Sequence, residues 1–275
     1  MAADRISMSV GFIGLGSQGG PMATRIIEAG YPTRLWARRA EALEPFLAAG
    51  ARAAASIADL GAQCEHVGIC VVDDAGVRQV CEDLIPAMRA GGRIAIHSTI
   101  HPSTCLTLAE HAAARGLSLI DAPVSGGGPA AAAGTLTVMV GGDDAAVAAA
   151  RPVFESFGKL IVHLGGVGAG QTAKLVNNTL MAANMALAHH ALTAGAALGI
   201  ERAALAELIK QSSGRSFSFE VYARLTQPSA FSHGANLLAK DVGLLGEVLE
   251  AAPSFIALRD VAAPFLDLVS KGASS

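Results

Sequence analysis

The chain has 275 residues, is 52% hydrophobic and 16% charged, and carries a formal net charge of −3. Such a length and apolar content suit one large domain or two modest ones, each with a sizeable core. No basic block marks a nucleic-acid surface and no acidic tail marks a solvating arm, so both partner classes are excluded by expectation.

The elements alternate through the first half. Strands are predicted over Ser9–Ile13, Thr33–Ala37, Val67–Val72, Arg93–His97, Ser118–Ile120, Leu136–Val140 and Leu160–His163. Helices are predicted between them over Pro21–Ala29, Glu41–Ala49, Val77–Met88, Thr104–Arg115 and Ala145–Phe157, the first two stopping at Gly30 and Gly50. Short apolar strands alternating with helices predict a Rossmann-type, doubly wound and mostly parallel α/β sheet. After Gly165 the pattern changes. Glycines at 166, 168 and 170 form a junction, and no strong strand candidate follows. Gln171–Leu198 is predicted as one helix of about 28 residues, about 42 Å long. That is long for a small domain to bury alone, so the helix is expected to cross between domains or between subunits, and a homodimer or homotetramer is expected. Further helices are predicted over Glu201–Gln211, Ala235–Ala251 and Phe255–Ser270. The expected domains are therefore 1–165, dinucleotide-binding, and 166–275, all-α.

Several features bound the setting. Cys64, Cys70, Cys81 and Cys105 form no CxxC pair and have no histidine pair at zinc-site spacing. They read as reduced thiols, and no metal is expected. The first residues lack a long apolar run, so no signal peptide is expected and the location is read as cytoplasmic. The most membrane-like stretch, from Leu180 to Ala197, is interrupted by Asn184, His189, His190 and Thr193, and reads as a buried helix.

The first chemical motif is Gly14, Leu15, Gly16, Ser17, Gln18 and Gly19, a GxGxxG run. Alone the pattern is weak. Its place after a strand and before a helix is what a dinucleotide fingerprint requires. Gly14 serves the tight turn, Gly16 the approach of a pyrophosphate, and Gly19 close helix–strand packing. The helix N-terminus offers the phosphates N–H groups and a positive dipole end. An NAD enzyme usually carries an acid at the end of the second strand. Here Arg38 and Arg39 stand there, with no acid before Glu41, and two guanidinium groups suit a 2′-phosphate. NADP is favoured and NAD remains open.

Three further segments carry chemistry. Asp121-Ala-Pro-Val-Ser125-Gly126-Gly127-Gly128 follows a strand end, where ligands of open α/β sheets bind. The Ser125 hydroxyl and the backbone N–H groups of Ser125, Gly126 and Gly127 suit a carboxylate. In Gly168-Ala-Gly170-Gln-Thr-Ala-Lys174-Leu-Val-Asn177-Asn178, Lys174 and Asn178 are four apart and share a helix face amid apolar neighbours. Burial favours a neutral lysine, which suits proton exchange. Taken alone, Lys174 also reads as a snorkelling surface lysine. On a late helix, Lys240 could reach a cofactor or substrate anion with Asp241 to orient it, or the two could form a surface ion pair.

Together these segments resemble the β-hydroxyacid dehydrogenase family, which includes 3-hydroxyisobutyrate dehydrogenase and tartronate semialdehyde reductase and is related to 6-phosphogluconate dehydrogenase. The resemblance runs from Val10 to Leu268. It includes Gly11-Phe-Ile-Gly14-Leu-Gly16, the substrate signature from Asp121 continued through Gly134–Gly142, and the GxGxxxKxxxN pattern from Gly168 to Asn178. It implies hydride transfer between a nicotinamide and a small 3-hydroxy acid or its semialdehyde. Lys174 would be the general acid/base and Asn178 its orienting, substrate-binding partner. Ser125, Gly126 and Gly127 would take the substrate carboxylate. Thr99 would lie near the nicotinamide ribose, Lys240 near the cofactor, and no metal would be needed. Departures include Gln18 in place of the usual Met, Ala37 in place of an Asn common in NADP-dependent members, Asp73-Asp74 after the third strand, and Gly128-Pro129-Ala130 beside the substrate signature. An imine reductase and a non-catalytic dinucleotide-binding scaffold are the alternatives; such relatives generally lack the lysine kept here as Lys174.

Overall fold

The computed structural model describes residues 8–250 and 252–271. Ala251, the expected end of one helix, lies outside the described residues. The chain divides into two compact units, one up to Lys174 and one from Leu175.

The first unit is built on a nine-stranded sheet. Its strands are β1 (Val10–Ile13), β2 (Thr33–Trp36), β3 (Arg52–Ala53), β4 (His66–Ile69), β5 (Arg93–Ile96), β6 (Ser118–Asp121), β7 (Val124–Ser125), β8 (Leu136–Gly141) and β9 (Gly158–Gly165). The order is β3-β2-β1-β4-β5-β6-β8-β7, with β9 beside β8. β1 pairs in parallel with both β2 and β4, so the winding reverses there. β8 runs antiparallel to β6 and β7, which makes the sheet mixed at that side. The helices are α1 (Gly19–Glu28), α2 (Glu44–Ala48), α3 (Ile57–Gln63), α4 (Asp74–Ala87), α5 (Pro102–Ala113), α6 (Gly127–Ala132) and α7 (Asp144–Phe154). The Rossmann-type α/β fold expected from the sequence is the one observed.

Alternate residues of the strands feed two cores. Phe12 and Leu35 join Met22, Ile26, Phe154 and Phe157 on one face. Ile13, Ile69, Ile94 and Ile96 join Leu60, Leu84 and Leu108 on the other. Each fully buried large side chain contributes roughly 1.5–3 kcal/mol over its exposed state, so both faces are driven closed.

Local differences from the expected elements have local causes. The strand expected over Val67–Val72 ends at Ile69: the Val71 N–H is taken by Ser98 Oγ at 2.8 Å, and Val72 is exposed. The helix expected over Glu41–Ala49 is a 3-10 turn, Ala40–Leu43, followed by α2 with Pro45 in its first turn. Helix α3 was not anticipated, although Ser56 Oγ accepts the Asp59 N–H as an N-cap. β3 and β7 have two residues each, too short to show a period.

Helix α8 (Ala169–Ala197) spans the division between the units, and the second unit continues with α9 (Arg202–Lys210), α10 (Phe217–Ala223), α11 (Ser232–Leu249) and α12 (Pro253–Lys271). No strand occurs there among the described residues. Its core joins Leu175, Met185 and Leu192 to Phe219, Tyr222, Leu238 and Phe265. Ala182, Ala183 and Ala186 keep α8 narrow where neighbours approach. Among the described residues, no helix is long and apolar enough to cross a membrane.

Candidate active site

The fingerprint glycines sit where the chain leaves β1. Gly14 has φ +96°, and a Cβ there would lie 2.1 Å from the Cys70 carbonyl oxygen, so only glycine lets β1 and β4 end side by side. Gly16 and Ser17 are exposed. A Cβ at Gly16 would meet no atom within 4 Å. No side chain caps α1 at Gln18. An open backbone cradle at an uncapped helix start fits a pyrophosphate. Arg38 and Arg39 are exposed just past β2, and neither forms an ion pair among the described residues.

Next come the ends of the central strands. His97, just past β5, turns into the core, stacked on Phe12 with ring centroids 5.9 Å apart. Its Nδ1 lies 2.8 Å from the Ala122 carbonyl oxygen. Burial pushes His97 down to about 4, so it is neutral at physiological pH. Thr99 is half-buried in the following loop. The departure at Asp73-Asp74 has a structural use. Asp73 caps α4 through the Gly76 N–H, while Asp74 accepts the His101 N–H and the Thr104 hydroxyl.

Ser125 and Gly127 are half-buried and Gly126 is exposed, in the turn where β7 enters α6. Gly126 has φ +131°. A Cβ at Gly128 would lie 2.7 Å from the Ser17 carbonyl oxygen, so this loop abuts the fingerprint loop. The contact explains why glycine stands at a departure from the family pattern.

Asp121 ends β6 with no exposed surface. Its Oδ1 accepts the Gly168 N–H at 2.7 Å and its Oδ2 the Gln171 N–H at 2.8 Å. Burial raises the Asp121 pKa from its ordinary value, and these N–H groups oppose the rise. The Gln171 side chain donates to the Ser98 carbonyl at 2.8 Å and accepts the Ile100 N–H at 3.1 Å. Lys174 follows on α8, 8% exposed, and Asn178 one turn later, 7% exposed. Asn178 Nδ2 donates to Asp241 Oδ2 at 2.6 Å, and the Lys240 ammonium lies 2.8 Å from Asp241 Oδ1. Asp241 therefore serves Asn178 as well as Lys240. That partnership, like the Asp121 and Gln171 bridges, has no local signature in the sequence; the one available signal is an acid at the end of an apolar strand.

His101, His163, His189 and the cysteines have structural surroundings. His101 caps α5, His163 meets the carbonyls of Gly142 and Gly165, and His189 meets the Tyr222 hydroxyl at 2.7 Å. Burial pushes Cys64, Cys70 and Cys81 up to about 12 and Cys105 well above its ordinary value, which leaves the thiols unreactive. No group of three His, Cys, Asp or Glu suited to a metal occurs among the described residues.

A mostly parallel sheet with an open fingerprint at its switch point defines a dinucleotide-binding protein. Comparison with known proteins agrees. Residues 9–165 match the family described as the NAD binding domain of 6-phosphogluconate dehydrogenase, and residues 168–272 that described as NAD-binding of NADP-dependent 3-hydroxyisobutyrate dehydrogenase. An NAD-dependent L-serine dehydrogenase of Pseudomonas aeruginosa is 38% identical, over 95% of this chain and 92% of its own. A 3-hydroxyisobutyrate dehydrogenase of the same organism is 38% identical over 86% of this chain and 83% of its own. The solved 3-hydroxyisobutyrate dehydrogenase of Mycobacterium tuberculosis with L-serine superposes with a TM-score of 0.84 at 28% identity, covering 98% of this chain and 94% of that one. The chain is an NAD(P)-binding oxidoreductase. It belongs to the 6-phosphogluconate dehydrogenase/β-hydroxyacid dehydrogenase superfamily and is closely related to 3-hydroxyisobutyrate dehydrogenase.

Proposed function

We propose that this protein interconverts a small 3-hydroxy carboxylate and its semialdehyde, with Lys174 exchanging the proton of the reacting oxygen. The observation that carries the reading is the pairing of two buried polar side chains, Lys174 and Asn178, four residues apart on one face of α8. A lysine is seldom buried without a task. Asn178, held by Asp241, is oriented to place the substrate oxygen beside the lysine. The Ser125 hydroxyl and the N–H groups of Ser125, Gly126 and Gly127 hold the substrate carboxylate. Gly14 to Gly19 hold the dinucleotide phosphates, with Thr99 near its ribose and Lys240 near the cofactor. A bound nicotinamide supplies or accepts the hydride.

The names of the relatives support the substrate class. L-serine and 3-hydroxyisobutyrate share a carboxylate, one intervening carbon and a terminal hydroxymethyl group. For the cofactor, two exposed guanidinium groups past β2 support NADP, while the L-serine dehydrogenase relative is named as NAD-dependent. Assembly as a homodimer or homotetramer is supported by Val176, Leu180 and Leu187, exposed on one face of α8; light scattering gives the mass.

The test measures absorbance at 340 nm with NADP and NAD against 3-hydroxyisobutyrate, L-serine, 3-hydroxypropionate and D-glycerate, and with the reduced cofactors against tartronate and succinic semialdehydes. Turnover of a 3-hydroxy acid is expected. Lys174→Ala should lose about 10²–10⁴-fold in kcat while still binding cofactor. Near-wild-type turnover of that variant would remove Lys174 from its role, and cofactor binding without any turnover by the wild type would favour the scaffold.

A further inference from the structure

We propose that Asp121 is a positioning residue for Lys174: its carboxylate clamps the first turn of α8 to the end of β6 and sets the place and charge state in which the lysine works. The inference rests on the reading of Lys174 as the proton-transfer group.

The first N–H groups of any helix lack partners within it. Most helices answer with a Ser, Thr, Asp or Asn immediately before the first turn. Before α8 the chain reads Gly165-Gly166-Val167-Gly168, which offers no polar side chain. The acceptor comes instead from Asp121, 47 residues before Gly168. One oxygen takes the Gly168 N–H and the other the Gln171 N–H, at 2.7 and 2.8 Å. Backbone donors at both oxygens mark the ionised form, since a carboxylate only accepts.

The surroundings are shaped to admit this carboxylate. A Cβ at Gly141, its register partner on β8, would lie 2.5 Å from Oδ1, and a Cβ at Gly170 would lie 2.9 Å from Oδ2. Gln171 adds the second constraint. Its side chain bridges Ser98 and Ile100, while Ser98 Oγ accepts the Val71 N–H. Asp121 thus fixes the height of the helix start, and Gln171 fixes its rotation against the ends of β4 and β5. Lys174 stands three residues beyond Gln171, about 4.5 Å further along the axis and nearly on the same side. Any shift at the clamp is carried to the lysine. The negative charge also offsets the positive end of the helix dipole, which would otherwise disfavour an ammonium in the second turn.

Asp121 is engaged by backbone at both oxygens, so it acts through Lys174 rather than on substrate. Asp121→Asn keeps the shape, removes the charge and turns an NH2 toward a backbone N–H. With Lys174 as base in the oxidation direction, this variant should lose about 30-fold or more in kcat with little change in cofactor Kd. The acid limb of its pH–rate profile should move down by about half a unit or more. Gln171→Met, which breaks the bridges but adds no charge change, should lower kcat without moving that limb. A kcat within twofold of wild type, or an unmoved limb in Asp121→Asn, would overturn the proposal. Should Asp121→Asn not fold, Gln171→Met decides: lowered kcat at unchanged cofactor Kd supports the positioning, and unchanged kcat overturns it. Lys174→Ala run alongside separates the two failures. An inactive Lys174→Ala with an unaffected Asp121→Asn sinks the clamp alone, whereas an active Lys174→Ala sinks the reading beneath it.

Discussion

Each compact unit buries one aspartate that is hydrogen-bonded to helix α8, and the two are held differently. Asp121, in the first unit, takes backbone N–H groups at both oxygens. Asp241, in the second and 3% exposed, takes side chains: a hydrogen bond from Asn178 at one oxygen and an ion pair with Lys240 at the other. Backbone donors cannot rotate away, so Asp121 fixes an element. Side-chain donors can rotate, so Asp241 holds side chains rather than an element. Burial alone does not distinguish these uses; the kind of donor does.

Removing Asp241 should break this contrast most visibly. Asp241→Ala leaves an amide and an ammonium without their shared acceptor, at a cost of roughly 2–3 kcal/mol. Released from its acceptor, Asn178 should misplace the substrate, and kcat/KM should fall by about 10²-fold. Lys240→Met, which keeps the Asn178–Asp241 bond, should lose far less. Urea midpoints and steady-state kinetics on both variants decide the matter, and equal losses would show that the carboxylate serves the lysine rather than Asn178.

A pair of buried histidines sharpens the comparison, because it has no charge to hold. His66 and His97 lie in the core around Phe154, 1% and 3% exposed. Neither ring nitrogen of His66 finds a hydrogen-bond partner among the described residues. Burial pushes His66 down to about 3 and His97 to about 4. Unfolding releases both to a histidine's ordinary range near 6.5. The unfolded chain then binds more protons below that pH, so stability is full above about 6.5 and is lost as pH falls toward 3–4. Between pH 7.5 and 5 the loss should be about 2 kcal/mol for each histidine. Asp121, raised in the fold by burial, acts in the opposite sense. Urea unfolding at the two pH values measures the loss. His66→Phe should flatten the dependence by about half, and an unchanged slope would reassign the acid sensitivity to other groups.

The parts that were legible in the sequence are those whose signals are local. β1 and the fingerprint lie within ten residues of one another, and the apolar runs of β4 and β5 announce buried parallel strands. Lys174 and Asn178 were found by their helical spacing. What escaped reading depends on partners distant along the chain. Asp121 meets α8 at Gly168, Gln171 reaches back 71 residues to Ile100, and Asn178 meets Asp241 63 residues on. A carboxylate in a sequence does not declare which backbone groups will face it. Helix α6 escaped for another reason: its start, Gly126-Gly127-Gly128, has the composition of a loop, and the contact of Gly128 with Ser17 that accounts for glycine there is a tertiary one.

The smallest expected effect concerns cofactor choice, at a place where neither kind of burial operates. Arg38 and Arg39 are exposed, so their attraction for a 2′-phosphate is weakened by water and salt. A guanidinium there still offers two parallel donors to a phosphate, whereas a carboxylate would repel it and accept from ribose hydroxyls instead. Arg38→Asp should therefore reduce the preference for NADP over NAD by about tenfold, equivalent to about 1.4 kcal/mol. The loss should shrink as ionic strength rises, since the wild-type advantage is itself screened. Ratios of kcat/KM for the two cofactors at low and high salt provide the measurement. A ratio unmoved by the substitution would mean that the residues past β2 do not read the ribose, and that the choice is made by the fingerprint loop, where Gln18 departs from the family pattern.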